Sequence, residues 1–287
     1  MSIGPVRIGI VGAGMMGAEI ALSFALAGNE VRLHDNDPAS IDRAMARLGE
    51  VLDKGASRGF YKAEDKQATL DRLLPTPDLA AYADREFVIE AVFEDVSVKS
   101  EVFRRLDAIC APDCLLASNT STIPISTLAA ALSAERRNRF LGTHFFSPVS
   151  RMKLVEVIPG FETAPDVVDR VMEICWAAAK EPIQVKDVAG FAVNRVLHAF
   201  LIEAVRLAEE EVATPEDIDK ACRLGLGHPV GPFELMDLVT NGLTLQVQEI
   251  LHDAYGPRFL PRPLLKQRVA AGHQGRRTGR GWKAYGR

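Results

Sequence analysis

Residues 6–35, VRIGIVGAGMMGAEIALSFALAGNEVRLHD, leave this chain few ways to fold. The stretch reads as strand, tight glycine turn, helix and second strand. The apolar run 6–11 has strand length, and 12–17 fits G-x-G-x-x-G. Helix-forming Ala, Leu and Met fill 15–27, and Gly28 stands where a helix should end. Gly12 permits the sharp turn, Gly14 lets the backbone approach a pyrophosphate, and Gly17 lets helix and strand pack closely. The helix start offers N–H groups and partial positive charge to phosphates. Asp35 closes the second strand, about 20 residues on, where a carboxylate takes hydrogen bonds from an adenosine ribose. It would repel a 2′-phosphate, so the cofactor is read as NAD rather than NADP. Gly12, Gly14, Met15, Met16, Gly17 and Asp35 are the candidate cofactor residues of this unit. The plain alternative is a structural glycine turn with a solvated Asp35.

Arg7, the apolar run and Ala25-Leu26-Ala27 mimic a secretory signal, but Glu19 interrupts the run and cleavage would destroy the βαβ unit. At 287 residues the expectation is two domains or one large one. Hydrophobic content of 47% and charged content of 25% are ordinary for a globular chain, and a net charge of −4 gives no reason to expect nucleic acid or an acidic membrane surface. No apolar run reaches membrane-spanning length. Cys110, Cys114, Cys175 and Cys222 lack metal or disulfide spacing, which points to reduced thiols and a cytoplasmic protein.

Asp37 and Pro38 open a helix whose apolar stripe stops at Gly55, and a second helix spans 63–74. Between them, the basic excursion 54–62 is either a solvated hairpin, which charge alone favours, or a reach for substrate phosphates by Lys54 and Arg58. Strands are expected at 86–93, 115–117, 140–146, 154–158 and 183–186, with helices at 96–110 and 165–179. The alternation predicts an α/β fold, a doubly wound Rossmann-type sheet over about the first 185 residues. The polar run 118–122 follows a strand end, so it either lines the crevice or serves as turn and cap chemistry. His144 and Glu156 each interrupt an apolar strand. Buried charge needs a partner, and each can serve the other if the strands are neighbours. The two are a structural pair, two unrelated edge residues, or an imidazole base oriented by a carboxylate.

After about residue 187 the pattern becomes helical: 191–213, a capped helix from Thr214 to about 224, a single helix 233–255 and a short one at 263–271. Domains are therefore expected at 1–186 and 187–287. Asn194 heads an apolar stripe, where its amide meets a substrate or cofactor oxygen or ties the domains together. His228 is read as a loop or packing residue. A helix apolar on most sides needs more cover than about 100 residues supply, which predicts a homodimer through this domain. Nine Lys or Arg and no acid lie between 258 and 287, either as a solvated end, a nucleic-acid contact or a contact with an anionic cofactor or substrate.

An ordered set of motifs runs almost end to end: GAGMMG at 12–17, VIEAVFEDVSVKSEVF at 88–103, ASNTSTIPI at 117–125, LGTHFFSPV at 141–149, MKLVEVIPG at 152–160, GFAVNRVL at 190–197, LGLGHPVGPFELMDL at 224–238 and GRRTGRGW at 275–282. With these the chain resembles the L-3-hydroxyacyl-CoA dehydrogenases, especially the short bacterial 3-hydroxybutyryl-CoA type. The resemblance implies His144 as catalytic base, Glu156 as its orienting acid, Ser121 and Asn194 holding the reacting oxygen and adjacent cofactor, and Glu94 and Lys99 lining the nicotinamide half of the NAD site. It implies an acyl-CoA substrate; a serine that some relatives offer to CoA from the first excursion has no clear counterpart here, and Lys54 and Arg58 are the expected contacts to CoA phosphates. The chain departs at Ser147, where many relatives have Asn, at Arg277, which replaces the tail lysine beside the cofactor, and at 239–242, where another turn sequence is usual. A same-fold dehydrogenase of a small hydroxy compound without CoA, and a non-enzymatic NAD-binding protein, are the alternatives.

Overall fold

A computed structural model describes residues 3–60 and 62–286. Tyr61 of the basic excursion and Arg287 of the basic tail lie outside the described residues. The chain divides into two compact units, Met1–Val188 and Ala189–Arg287. Asp187 belongs with the first, because its carboxylate accepts from the Ile125 and Ser126 N–H groups at 2.8 and 2.9 Å and from the Ser126 hydroxyl at 2.8 Å.

The first unit runs β1 (Ile8–Val11), α1 (Met15–Leu26), β2 (Val31–His34), α2 (Pro38–Ser57), α3 (Asp65–Asp71), β3 (Leu73–Pro75), β4 (Phe87–Glu90), α4 (Val96–Ile109), β5 (Leu115–Ser118), α5 (Ile125–Ala129), α6 (Ala134–Arg137), β6 (Phe140–Phe145), β7 (Leu154–Pro159), α7 (Pro165–Ala177) and β8 (Glu181–Gln184). The strands form one eight-stranded sheet in the order β3-β2-β1-β4-β5-β6-β7-β8. It is parallel except where β6 meets β7. The chain leaves β1 to build one edge and returns beside it with β4, so β1 and β4 flank the switch point where such sheets bind ligands.

Strands covered on both faces read as unbroken apolar runs, and β1, β4, β5 and β6 are buried at every position. Helix α1 packs against them through Ala18, Ile20, Ala21, Phe24 and Ala25, and Phe24 meets the edges of Phe87 and Phe145 at 6.5 and 6.2 Å. Each such large side chain contributes about 1.5–3 kcal/mol by leaving water. Asp37 caps α2 by accepting from Ala39 N–H, with Pro38 in the first turn as expected.

The expected helix over 63–74 is shorter. It ends at Asp71, and Leu73–Pro75 joins the sheet edge beside β2. Pro75 is tolerated because an edge strand does not need every N–H. The basic excursion is no hairpin at its start, since α2 continues through Lys54 to Ser57.

The second unit contains α8 (Val193–Glu209), α9 (Pro215–Gly225), α10 (Pro232–Val239), α11 (Asn241–Tyr255) and α12 (Pro263–Ala270). Thr214 caps α9 as expected, accepting from Asp217 N–H at 3.1 Å. The single helix expected over 233–255 is two helices, broken at Thr240, whose φ is +95°. The break lets Asn241 turn inward. Its amide donates to Asp237 at 3.2 Å and to the His273 carbonyl at 2.8 Å, and its oxygen accepts from Trp282 Nε1 at 2.8 Å. Helical periodicity continues across the break, and in the sequence only the family resemblance, which puts a turn at 239–242, hints at it.

Candidate active site

The glycine turn fits a dinucleotide pyrophosphate. Gly12 has φ +105°, and a Cβ there would meet the Ala91 carbonyl oxygen at 2.6 Å. A Cβ on Gly17 would collide with the Gly12 carbonyl oxygen, so helix and turn approach as closely as the motif requires. Gly14 faces open space, and α1 begins without a side-chain cap, so the first-turn N–H groups at Met15, Met16 and Gly17 remain for an anion. Asp35, just past β2, takes one N–H on each oxygen: Ala13 of the turn at 2.8 Å and Asp37 at 3.0 Å. A carboxylate has about four lone-pair positions, which leaves capacity for ribose hydroxyls. Arg47, which the sequence did not single out, reaches back from α2 to the Gly14 carbonyl at 3.1 Å.

His144 and Glu156 lie opposite each other in the antiparallel register of β6 and β7. Imidazole Nδ1 stands 2.8 Å from a Glu156 oxygen, with the histidine 5% exposed and the glutamate fully buried. Pairing with a carboxylate places the ring proton on Nδ1 and leaves Nε2 as the accepting nitrogen. Nε2 faces the Ser121 hydroxyl at 3.1 Å. The Phe146 ring lies 4.5 Å from the imidazole, centre to centre. The expected alternative of two unrelated edge residues is thereby excluded.

Ser121 is held from behind. One Glu94 oxygen accepts from the Thr120 hydroxyl at 2.6 Å, from the Ser121 and Thr122 N–H groups at 2.9 Å each, and from the Thr122 hydroxyl at 3.0 Å. Partial burial raises the Glu94 carboxyl, but the Lys99 ammonium and these donors together hold it below the usual carboxylate range. Asn119 accepts from Phe145 N–H at 2.9 Å and so ties the turn after β5 to the histidine strand.

Lys99 was expected on the cofactor. It is instead 1% exposed, and its ammonium is taken up by Glu90 at 2.7 Å, Glu94 at 3.3 Å and the Val92 carbonyl at 3.3 Å. An ammonium has three protons, and all three have protein takers in this structure, so Lys99 supports Glu94. Glu90 is not singled out by the sequence, and Ser118 enters there only as the first residue of the polar run 118–122. Glu90 carried the same signal as Glu156, an acid inside an apolar strand.

Ser147 is exposed in the turn after β6. That turn is pinned by Glu19, which accepts from Val149 N–H at 2.5 Å, and by buried Lys180, which donates to the Val149 and Met152 carbonyls at 2.5 and 3.1 Å. Lys54 and Arg58 are exposed at the carboxyl end of α2, with Lys54 3.2 Å from Glu50. In the second unit, Asn194 is half-buried in the first turn of α8, and Arg277 is exposed in the short turn Arg276–Thr278.

Among the described residues, no group of His, Cys, Asp and Glu could hold a metal ion, and no helix is long and apolar enough to cross a membrane.

The family model described as 3-hydroxyacyl-CoA dehydrogenase, NAD binding domain, matches residues 7–188, and the C-terminal domain of the same family matches 190–285. The chain is 40% identical over 282 residues to a 3-hydroxybutyryl-CoA dehydrogenase of Mycobacterium tuberculosis, covering 97% of this chain and 98% of the relative. It is 38% identical over 280 residues to a probable 3-hydroxybutyryl-CoA dehydrogenase of Bacillus subtilis, covering 97% of each. The crystal structure of (S)-3-hydroxybutyryl-CoA dehydrogenase from Ralstonia eutropha superposes with a TM-score of 0.94 at 36% identity, covering 99% of this chain and 100% of that one.

Proposed function

This chain belongs to the 3-hydroxyacyl-CoA dehydrogenase family, and from that premise we propose that it interconverts (S)-3-hydroxyacyl-CoA and 3-ketoacyl-CoA with NAD, acting on short acyl chains such as 3-hydroxybutyryl. The observation that carries the reading is His144 set between Ser121 at 3.1 Å and Glu156 at 2.8 Å, beside the carboxyl ends of β5 and β6. NAD, held by Gly12, Gly14, Met15, Met16, Gly17 and Asp35, supplies the acceptor for the hydride that leaves C3.

In the oxidative direction, His144 Nε2 takes the proton of the 3-hydroxyl as that hydride departs. Glu156 stabilises the imidazolium so formed through Nδ1–H, and its burial makes that interaction stronger than it would be in water. Ser121 and Asn194 orient the oxygen, which restricts non-productive poses. In reduction, His144 returns the proton to the new alcohol. Glu94 and Ser147 border the nicotinamide side, Arg277 meets the cofactor from the tail, and Lys54 and Arg58 meet CoA phosphates. Four buried cysteines without disulfides fit a cytoplasmic location.

The second unit forms a homodimer in this reading. Val196, Leu224 and Leu226 are 72%, 77% and 63% exposed, and Val196 lines an apolar groove of about 470 Å³ with Leu197, Phe200 and His228. Apolar surface of this kind marks an interface.

The test is nicotinamide absorbance during incubation with NADH and acetoacetyl-CoA, with free acetoacetate run in parallel. Rapid oxidation with the CoA ester alone is the expected outcome. Turnover of acetoacetate alone, or of neither compound despite NADH binding, rejects the acyl-CoA reading.

A further inference from the structure

Glu90 is fully buried at the last position of β4, directly opposite Ser118 at the last position of β5. The hydride-transfer scheme gives neither residue a task. Yet both sit immediately behind the turn that presents Ser121 to His144.

Two arms extend from this one carboxylate. One oxygen accepts from Lys99 at 2.7 Å, and Lys99 in turn pairs with Glu94 at 3.3 Å. Glu94 then receives the four donors of residues 120–122 on its other oxygen. The second Glu90 oxygen accepts from the Ser118 hydroxyl at 2.7 Å, and the Ser118 oxygen accepts from Thr120 N–H at 3.3 Å. The first arm therefore grips the turn through Glu94, and the second grips its entry. Glu90, Lys99, Ser118 and Thr120 are all at most 1% exposed, so the bonds among these four do not compete with water, while the Glu94 bonds to Ser121 and Thr122 lie at the exposed end of the first arm.

Stability alone does not explain the arrangement. Desolvating a carboxylate and an ammonium is costly, and apolar side chains of similar size often serve a core as well or better. An ion pair differs from an apolar plug in holding its partners at fixed distances and directions. Burial pushes the Glu90 carboxyl up, while Lys99, Ser118 and the Val92 N–H at 2.7 Å favour its ionised form.

We propose that Glu90, acting through Lys99–Glu94 and through Ser118, is the positioning residue of the catalytic crevice: it sets the 120–122 turn and so the Ser121 hydroxyl before His144. The proposal rests on the reading of Ser121 as the group that orients the reacting oxygen. Glu90 touches neither substrate nor cofactor. Its removal changes the geometry of the turn, not the chemistry of the base.

The experiment combines two readouts on Glu90→Gln and Ser118→Ala. Amide hydrogen exchange on the apo protein is expected to speed up in the segment 119–123 and to stay at wild-type rates in β1, α1 and the second unit. Turnover of acetoacetyl-CoA by Glu90→Gln is expected to fall about 10–100-fold in kcat, the scale of a misplaced orienting group. In a Ser121→Ala background the same change should have far less effect, because the hydroxyl it positions is gone. Ser118→Ala keeps the ion pair and loses one arm, so the same segment loosens by less, and this variant serves if Glu90→Gln does not fold. Wild-type exchange at 119–123, faster exchange spread over the whole chain, or losses that add fully with Ser121→Ala would each overturn the proposal. Absence of turnover in the wild type would instead count against the dehydrogenase reading, and the exchange result would stand on its own.

Discussion

The two ring nitrogens of His144 face groups of different kinds, a carboxylate at 2.8 Å and a hydroxyl at 3.1 Å. In the proposed reaction that asymmetry would make the imidazole a directed base, with the carboxylate fixing the tautomer and the hydroxyl marking where the reacting oxygen arrives. His144→Gln keeps polarity and approximate size but cannot carry the proton. Turnover is expected to drop by at least about 10²–10⁴-fold, with NADH affinity by fluorescence titration close to wild type. Loss of NADH binding would mean that His144 belongs to the cofactor site instead. Asp35 has a different task. Asp35→Ala removes the proposed ribose acceptor together with the bond to Ala13 N–H, so the KM for NAD should rise more than that for the acyl substrate. Equal rises would argue against the ribose assignment.

At the scale of elements, buried carboxylates fasten segments that pattern alone does not join. Asp237, 1% exposed on α10, accepts from Trp282 N–H at 2.9 Å, Lys283 N–H at 3.1 Å, the Tyr285 hydroxyl at 2.9 Å and the Asn241 amide at 3.2 Å. Asp219 does the same one helix earlier, capping α10 through Phe233 N–H at 2.8 Å and pairing with Lys283 at 2.8 Å. The basic tail is therefore partly a packed strap within its own unit. Asp237→Ala strands several buried donors, each worth about 1–3 kcal/mol when left unsatisfied. It should lower the unfolding free energy by at least about 3 kcal/mol in urea. A change within error would show that solvent or rearrangement satisfies those donors.

For the whole molecule, stability should depend on pH through His198. This histidine is 5% exposed on α8, and burial pushes it down to about 4 from an ordinary value of 6.5. The folded state thus holds it neutral, while the unfolded chain protonates it below about 6.5. Where the unfolded state binds more protons, stability falls as pH falls. The loss begins near pH 6.5, grows down to about pH 4 and then levels off, with a ceiling of about 3 kcal/mol. His198→Leu should flatten that part of the pH–stability curve, and an unchanged slope would assign it to other groups. Assembly is tested at the same scale. Val196→Glu with Leu224→Glu places charge on the exposed apolar face of the second unit. Sedimentation should then shift from twice the chain's mass to a single chain, and a wild-type protein that already sediments as one chain would exclude the dimer.

The sequence by itself determined the parts that depend on neighbours along the chain. Glycine turn, apolar strand runs, caps at Asp37 and Thr214, and the doubly wound order all follow from local sterics and periodicity. It also made His144 and Glu156 conspicuous, since charge in an apolar strand demands a partner. Tertiary structure decided who the partners were. The β6–β7 register brought those two side chains together, and the adjacency of β4 and β5 paired Glu90 with Ser118. Folding buried Lys99 among Glu90, Glu94 and the Val92 carbonyl, and it split the helix at Thr240, where Asn241 finds its partners. These outcomes share one physical cause. Hydrogen-bond partners separated by tens of residues are chosen by which strand ends meet in space, and no local pattern encodes that choice.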